Sequence, residues 1–70
     1  MTNYNSDLWK GECMVVKHGK KAMLIRHENE EGWIPYSQVH DDSTLYEYSQ
    51  VNEEDELVIP YWLAAKQGWA

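Results

Sequence analysis

Glu31-Gly32-Trp33-Ile34-Pro35-Tyr36-Ser37-Gln38-Val39-His40-Asp41-Asp42 contains one of the two prolines of this chain. Leu57-Val58-Ile59-Pro60-Tyr61-Trp62-Leu63-Ala64-Ala65-Lys66-Gln67-Gly68 contains the other. Each proline sits in an Ile-Pro-Tyr unit behind a short apolar run. A β-branched run reads as a strand, and proline lacks the N–H that a ladder needs. Each unit therefore reads as a strand end followed by a turn of helix. In the first unit Trp33-Ile34 forms a short strand that Pro35 stops or confines to a sheet edge, and Tyr36 to Val39 forms one helical turn. In the second, Leu57-Val58-Ile59 is the last strand. Pro60 takes the first helical position, where a missing N–H costs nothing, and Tyr61 to Gln67 is the helix. Two turns of helix are unstable alone, so this one must dock on the sheet, with Trp62 and Leu63 as anchors. Lys66 suits the negative end, Gly68 the position just past it, and Trp69 folds back on the last turn.

Working outward, Glu12 to Val16 and Lys21 to His27 read as two strands joined by a tight His18-Gly19 turn. In that register Lys17 faces Lys20, Val15 faces Ala22, Cys13 faces Leu24, and Met14 meets Met23 on the other face. Glu28 to Gly32 reads as a polar turn. His40 to Ser43 reads as a solvated turn, Thr44 to Tyr48 as a further strand, and Ser49 to Glu56 as an acidic loop. The expected class is α+β: a small antiparallel β-meander of four to five short strands, partly barrel-like, with a short C-terminal helix packed on it. The expected division is a flexible segment 1–7 and one compact domain over 8–70.

Seventy residues bound the core to a modest size. One cysteine permits no internal disulfide, and four Trp and five Tyr with no Phe take its place as core mass. A lone cysteine suits a reducing compartment. Met1 to Asp7 has no apolar segment of the signal-peptide kind, and no run approaches the roughly 20 apolar residues that span a bilayer. A cytoplasmic protein with no membrane association is expected.

Net charge is −6, and it is unevenly laid out. Five of the six Lys and Arg lie between Lys10 and Arg26, while His27 to Ala65 holds ten acids and no Lys or Arg. The acidic half disfavours non-specific phosphate binding by the whole molecule. It leaves two binding readings. One is a protein partner met by acids and aromatics, for which Tyr36, Asp41, Asp42, Tyr46, Tyr48, Glu53, Glu54 and Asp55 are the candidates. The other is contact with nucleic acid through the basic turn at Lys17, Lys20 and Lys21. Trp33, Pro35, Pro60, Trp62, Leu63 and Gly68 read as structural. Homo-oligomerisation is compatible with the aromatic surplus.

Chemistry finds few footholds. His18, His27, His40, Cys13, Asp41 and Asp42 match no compact metal spacing, so neither metal nor cofactor is expected. No Gly-x-Ser-x-Gly or Gly-rich phosphate loop is present, and Cys13 sits in an apolar run where it acts as a small hydrophobe. The reading is non-enzymatic.

From Lys20 to Trp69 the chain resembles a family of small, mostly uncharacterised bacteriophage and prophage proteins. The residues that carry the resemblance are Ala22-Met23-Leu24-Ile25, Trp33 to Val39 with Asp41-Asp42-Ser43, and Leu57 to Gly68. Similar sequences carry Trp-Ile-Pro-x-Ser-Gln and Ile-Pro-x-Trp-Leu-Ala-x-Lys-x-Gly blocks in this order. Tyr36 departs from a basic residue common there, and Tyr61 from an acidic one. The resemblance implies a phage or prophage origin and a compact sheet with a C-terminal helix. Taken with the charge and aromatic layout, the expected function is a phage-type accessory protein in a bacterial host that binds a host or phage protein, with a nucleic-acid-binding module of replication or recombination as the alternative. It carries no activity onto any residue.

Overall fold

A computed structural model of the chain describes residues 8–70. The segment 1–7 that the sequence marks as flexible lies outside the described residues. Leu8–His18 forms β1, extending well beyond Glu12 to Val16 at both ends. Its length follows from serving two partners in succession. Leu8 to Met14 pairs antiparallel with β4 (Glu54–Pro60), and Met14 to His18 pairs antiparallel with β2 (Ala22–His27). Ladder partners thus carry Lys10 and Gly11 into a strand that their own propensities do not favour.

The β1–β2 register differs from the expected one. Val15 faces Ile25 and not Ala22, and the pairing then slips so that Lys17 faces Leu24 and His18 faces Met23. Val16 is the extra residue of a β-bulge. Burial drives this choice: Val15, Met23 and Ile25 are all fully buried and share one face. Without the bulge, simple alternation would send Lys17 into the core. With it, Lys17 joins Leu24 on the open face, and His18 turns to the packed side beside Met23. The connection becomes Gly19 to Lys21, closed by the Gly19 N–H donating to the Ala22 carbonyl at 2.7 Å.

β3 covers Glu30–Pro35, so the expected polar turn shortens to Glu28 and Asn29. Glu28 takes a φ of 56° there. β3 ends at Pro35, as expected, and a 3₁₀ turn follows over Tyr36–Gln38. Strand order is β3-β2-β1-β4. Three strands form a meander and the fourth returns beside the first, the Greek-key order. The sheet is open and not barrel-like, since β3 and β4 are its two edges.

Residues 36 to 53 cross from one edge to the other, with Val39 and Leu45 joining the core. The strand expected over Thr44 to Tyr48 does not form. Thr44 and Leu45 both donate their N–H to the Glu56 carbonyl, at 2.9 and 3.1 Å, and His40 donates to that of Val58 at 2.9 Å. The Ser43 hydroxyl accepts from the Val58 N–H at 2.7 Å and donates to its carbonyl at 2.9 Å. Two N–H groups converging on one oxygen cannot propagate a ladder. The segment instead covers the free edge of β4, which removes a template for edge pairing.

α1 is Tyr61–Lys66, with Pro60 as both the last residue of β4 and the N-cap, one position before the expected one. Its anchors are Leu63 and Ala64; Trp62 is 58 % exposed and is not an anchor. With about 3.6 residues per turn, burying positions 63 and 64 turns position 62 outward. The helix ends as expected. Gly68 has φ 87°, its N–H reaches the Ala65 carbonyl at 3.1 Å, and that of Trp69 reaches Ala64 at 2.9 Å, which is a Schellman closure. Trp69 then packs against the core beside Trp9, their ring centres 5.5 Å apart. No helix among the described residues is long and apolar enough to cross a membrane.

Candidate functional site

Large aromatic side chains project from the crossing segment immediately after the buried Leu45. Tyr46 is partly exposed and Tyr48 is 83 % exposed, with Val51 beside them in sequence and half exposed. The two rings are 6.0 Å apart and tilted by 59°. A loop bearing such groups would ordinarily be mobile, but this backbone is tied at many points. Tyr46 N–H donates to the Ser49 hydroxyl, Ser49 N–H to the Tyr46 carbonyl, and Gln50 N–H to the Glu53 carboxylate, at 2.9 to 3.0 Å. Farther on, Asn52 donates to the Val15 carbonyl at 2.6 Å and Val15 to that of Glu53 at 3.0 Å. Asn52 adopts a φ of 74°, a conformation that asparagine tolerates better than most residues.

The bulge at Val16 supplies one more tie by turning His18 inward. Its Nε2 lies 2.6 Å from the Ser49 carbonyl and its Nδ1 lies 2.6 Å from the Tyr36 hydroxyl. A carbonyl only accepts, so Nε2 carries a hydrogen and donates to Ser49, while the Tyr36 hydroxyl beside Nδ1 donates to the Gly19 carbonyl at 3.1 Å. The two rings stack with centres 5.9 Å apart. His18 thereby joins the β1–β2 connection, the 3₁₀ turn and the aromatic loop. Burial raises the Tyr36 hydroxyl pKa above its usual value, and the Glu47 charge adds to the rise. A hydrogen bond with the Glu47 carboxylate, then its charge, raises that of Tyr48.

The acidic-aromatic residues named from the sequence are only partly brought together. Tyr46, Tyr48 and Glu53 share the tied loop, and Tyr36 is linked to it through His18. Glu54 and Asp55 belong to β4, where they face Met14 and Cys13. Asp41 and Asp42 occupy an exposed turn on the β4 edge, where the His40 ring accepts the Asp42 N–H at 3.0 Å. The basic trio divides as well. Lys17 lies across from Leu24 on the open face, whereas Lys20 and Lys21 line a hollow with Pro35, Tyr36 and Ser37.

Two residues read as structural are about half exposed, Trp33 on the open face and Trp62 on α1. His18, Glu47 and Val51 were missed. No sequence signal marks His18, because its inward orientation depends on the bulge; the Tyr46-Glu47-Tyr48 alternation is the signal for Glu47.

Cys13 is buried, and its thiol pKa is pushed up to about 12, by burial first and by Glu12 second. His27 Nδ1 lies 3.9 Å from the sulfur but 2.9 Å from the Glu12 carbonyl, to which it donates. That nitrogen is therefore not free to take the thiol proton. Among the described residues no group of three or more His, Cys, Asp or Glu is placed to hold a metal ion. Comparison of the chain with protein-family models, with curated proteins and with solved structures gives no match.

Proposed function

We propose that this chain is a non-enzymatic binding domain whose principal surface is the tied loop Tyr46 to Glu53. A protein partner would bury Tyr46, Tyr48 and Val51, while Glu47 and Glu53 meet its basic groups. The observation that supports this reading is the combination of high exposure with many backbone ties. Exposed aromatics on a preordered backbone lose little entropy on binding, and tyrosine is enriched among residues that dominate interface energy. The resemblance of the two Ile-Pro-Tyr blocks supports the narrower reading of a phage-type accessory protein working in a bacterial cytoplasm on a host or phage protein.

Affinity capture from a bacterial lysate at low and high salt, with oligomer size measured in parallel, tests the reading. A protein retained by the wild type, released by salt and lost with Tyr46→Ala/Tyr48→Ala supports it. Retention unaffected by that double substitution, or a stable homo-oligomer that leaves the loop exposed, contradicts it. Nuclease-sensitive capture of nucleic acid would favour the replication-linked alternative.

A further inference from the structure

The hollow beside the β1–β2 connection differs in charge from most of this acidic molecule. It has a volume of about 400 Å³ and is lined by Lys20, Lys21, Pro35, Tyr36 and Ser37, two cations and no carboxylate. Neither lysine forms an ion pair among the described residues, although the chain has twice as many acids as bases. The hollow is also built rather than incidental. The Tyr36 N–H donates to the Lys21 carbonyl at 3.0 Å. The Tyr36 hydroxyl is held between His18 Nδ1 at 2.6 Å and the Gly19 carbonyl at 3.1 Å. The wall and the connection bearing the lysines are thus fixed to each other.

From this juxtaposition we infer that the hollow is a binding site for a small phosphate monoester carried on a flat apolar body. Lys20, Lys21 and the Ser37 hydroxyl supply donors for the anionic head, and Pro35 and Tyr36 supply apolar surface for the body. Ammonium groups on flexible stems suit the several oxygens of a compact dianion. A volume of about 400 Å³ falls in the range of small-molecule clefts, roughly 300–1,000 Å³. A long polyanion fits poorly. Lys17, which would extend a basic track, lies on the open face. The hollow is joined to the aromatic loop through Tyr36 and His18, but the inference does not depend on the reading given to that loop.

The test is a titration of the full chain followed by amide NMR, with adenosine monophosphate as probe. Adenosine, inorganic phosphate, benzoate and a short oligothymidylate serve as comparisons. Saturable shifts at Lys20, Lys21, Tyr36 and Ser37 are expected with the monophosphate and weaker ones with inorganic phosphate. Adenosine should produce none. Lys20→Ala/Lys21→Ala should bind roughly 10- to 100-fold more weakly, the loss expected for hydrogen bonds to a charged group, with an otherwise unchanged spectrum. Absence of saturation at millimolar monophosphate, shifts centred elsewhere, or binding unaffected by the double substitution overturns the assignment. Benzoate binding as tightly overturns the choice of phosphate. Oligothymidylate binding more tightly than the monophosphate overturns the small-ligand reading.

Discussion

Leu45→Ala probes how the crossing segment supports the aromatic loop. Leu45 is fully buried in the main core, and the residues immediately following it carry Tyr46 and Tyr48. The substitution removes the equivalent of three carbon groups. At about 0.8 kcal/mol per buried group the transfer loss is roughly 2.5 kcal/mol. An unfilled cavity raises such losses to about 3–5 kcal/mol in well-packed sites. Two N–H groups of this segment on the Glu56 carbonyl, with Ser43 on Val58 beyond them, resist collapse of the backbone into the space. The upper part of that range is therefore expected. A seventy-residue core supplies only about 3–5 kcal/mol in all, so Leu45→Ala should be largely unfolded. Leu45→Met, which conserves volume, should lose less than about 1.5 kcal/mol and remain folded. Urea denaturation followed by tryptophan fluorescence measures both. A loss below about 1 kcal/mol for Leu45→Ala, with the wild-type dependence on urea retained, would refute the role of Leu45 in anchoring the crossing segment and with it the support proposed for the loop.

Trp62→Ala should cost less than about 1 kcal/mol because the ring is mostly exposed, while Leu63→Ala should cost about 2–5 kcal/mol by the core-truncation rule; thermal melts of the pair decide between the two anchors. Gly68→Ala forces a Cβ onto a φ of 87° and should cost about 1–2 kcal/mol, read from the same melts. The Cys13 thiol pKa rises from 9.0 to about 12 on folding, so the native state keeps a proton that the unfolded chain releases. Its contribution to stability is full below pH 9 and is lost as pH rises from there to about 12, at up to about 1.4 kcal/mol per unit. Cys13→Ala should flatten that part of the profile in denaturation measured across the alkaline range.

How much was legible follows from which forces act locally. The two Ile-Pro-Tyr corners could be read because proline and β-branched residues constrain their own backbone. Both strand ends, the 3₁₀ turn after Pro35 and the Schellman closure at Gly68 lie where those residues place them. The register of β1 could not, because the bulge at Val16 keeps Lys17 out of the core while Val15 packs opposite Ile25, and that gain appears only once the strands meet. The inward turn of His18 inherits the same dependence. Thr44 to Tyr48 has the composition of a strand, but the Thr44 and Leu45 N–H groups converge on one β4 carbonyl and that of Tyr46 turns to Ser49, an order that no local pattern encodes. Trp62 misleads because size and hydrophobicity suggest burial, whereas the helix phase set by Leu63 and Ala64 turns it outward. Of the candidate surface, the aromatic pair was visible as Tyr46 and Tyr48; their preordered backbone was not.

In the proposed function, Tyr46 and Tyr48 on the tied loop carry the binding of a protein partner. This role is tested most directly by calorimetric titration of the captured partner with wild type and with Tyr46→Ala/Tyr48→Ala, each first shown to melt alike. A loss of about 2 kcal/mol or more, roughly 30-fold in affinity, is the result expected if the pair forms a hot spot. Unchanged affinity in the folded double variant would contradict the account and move the interface to another surface.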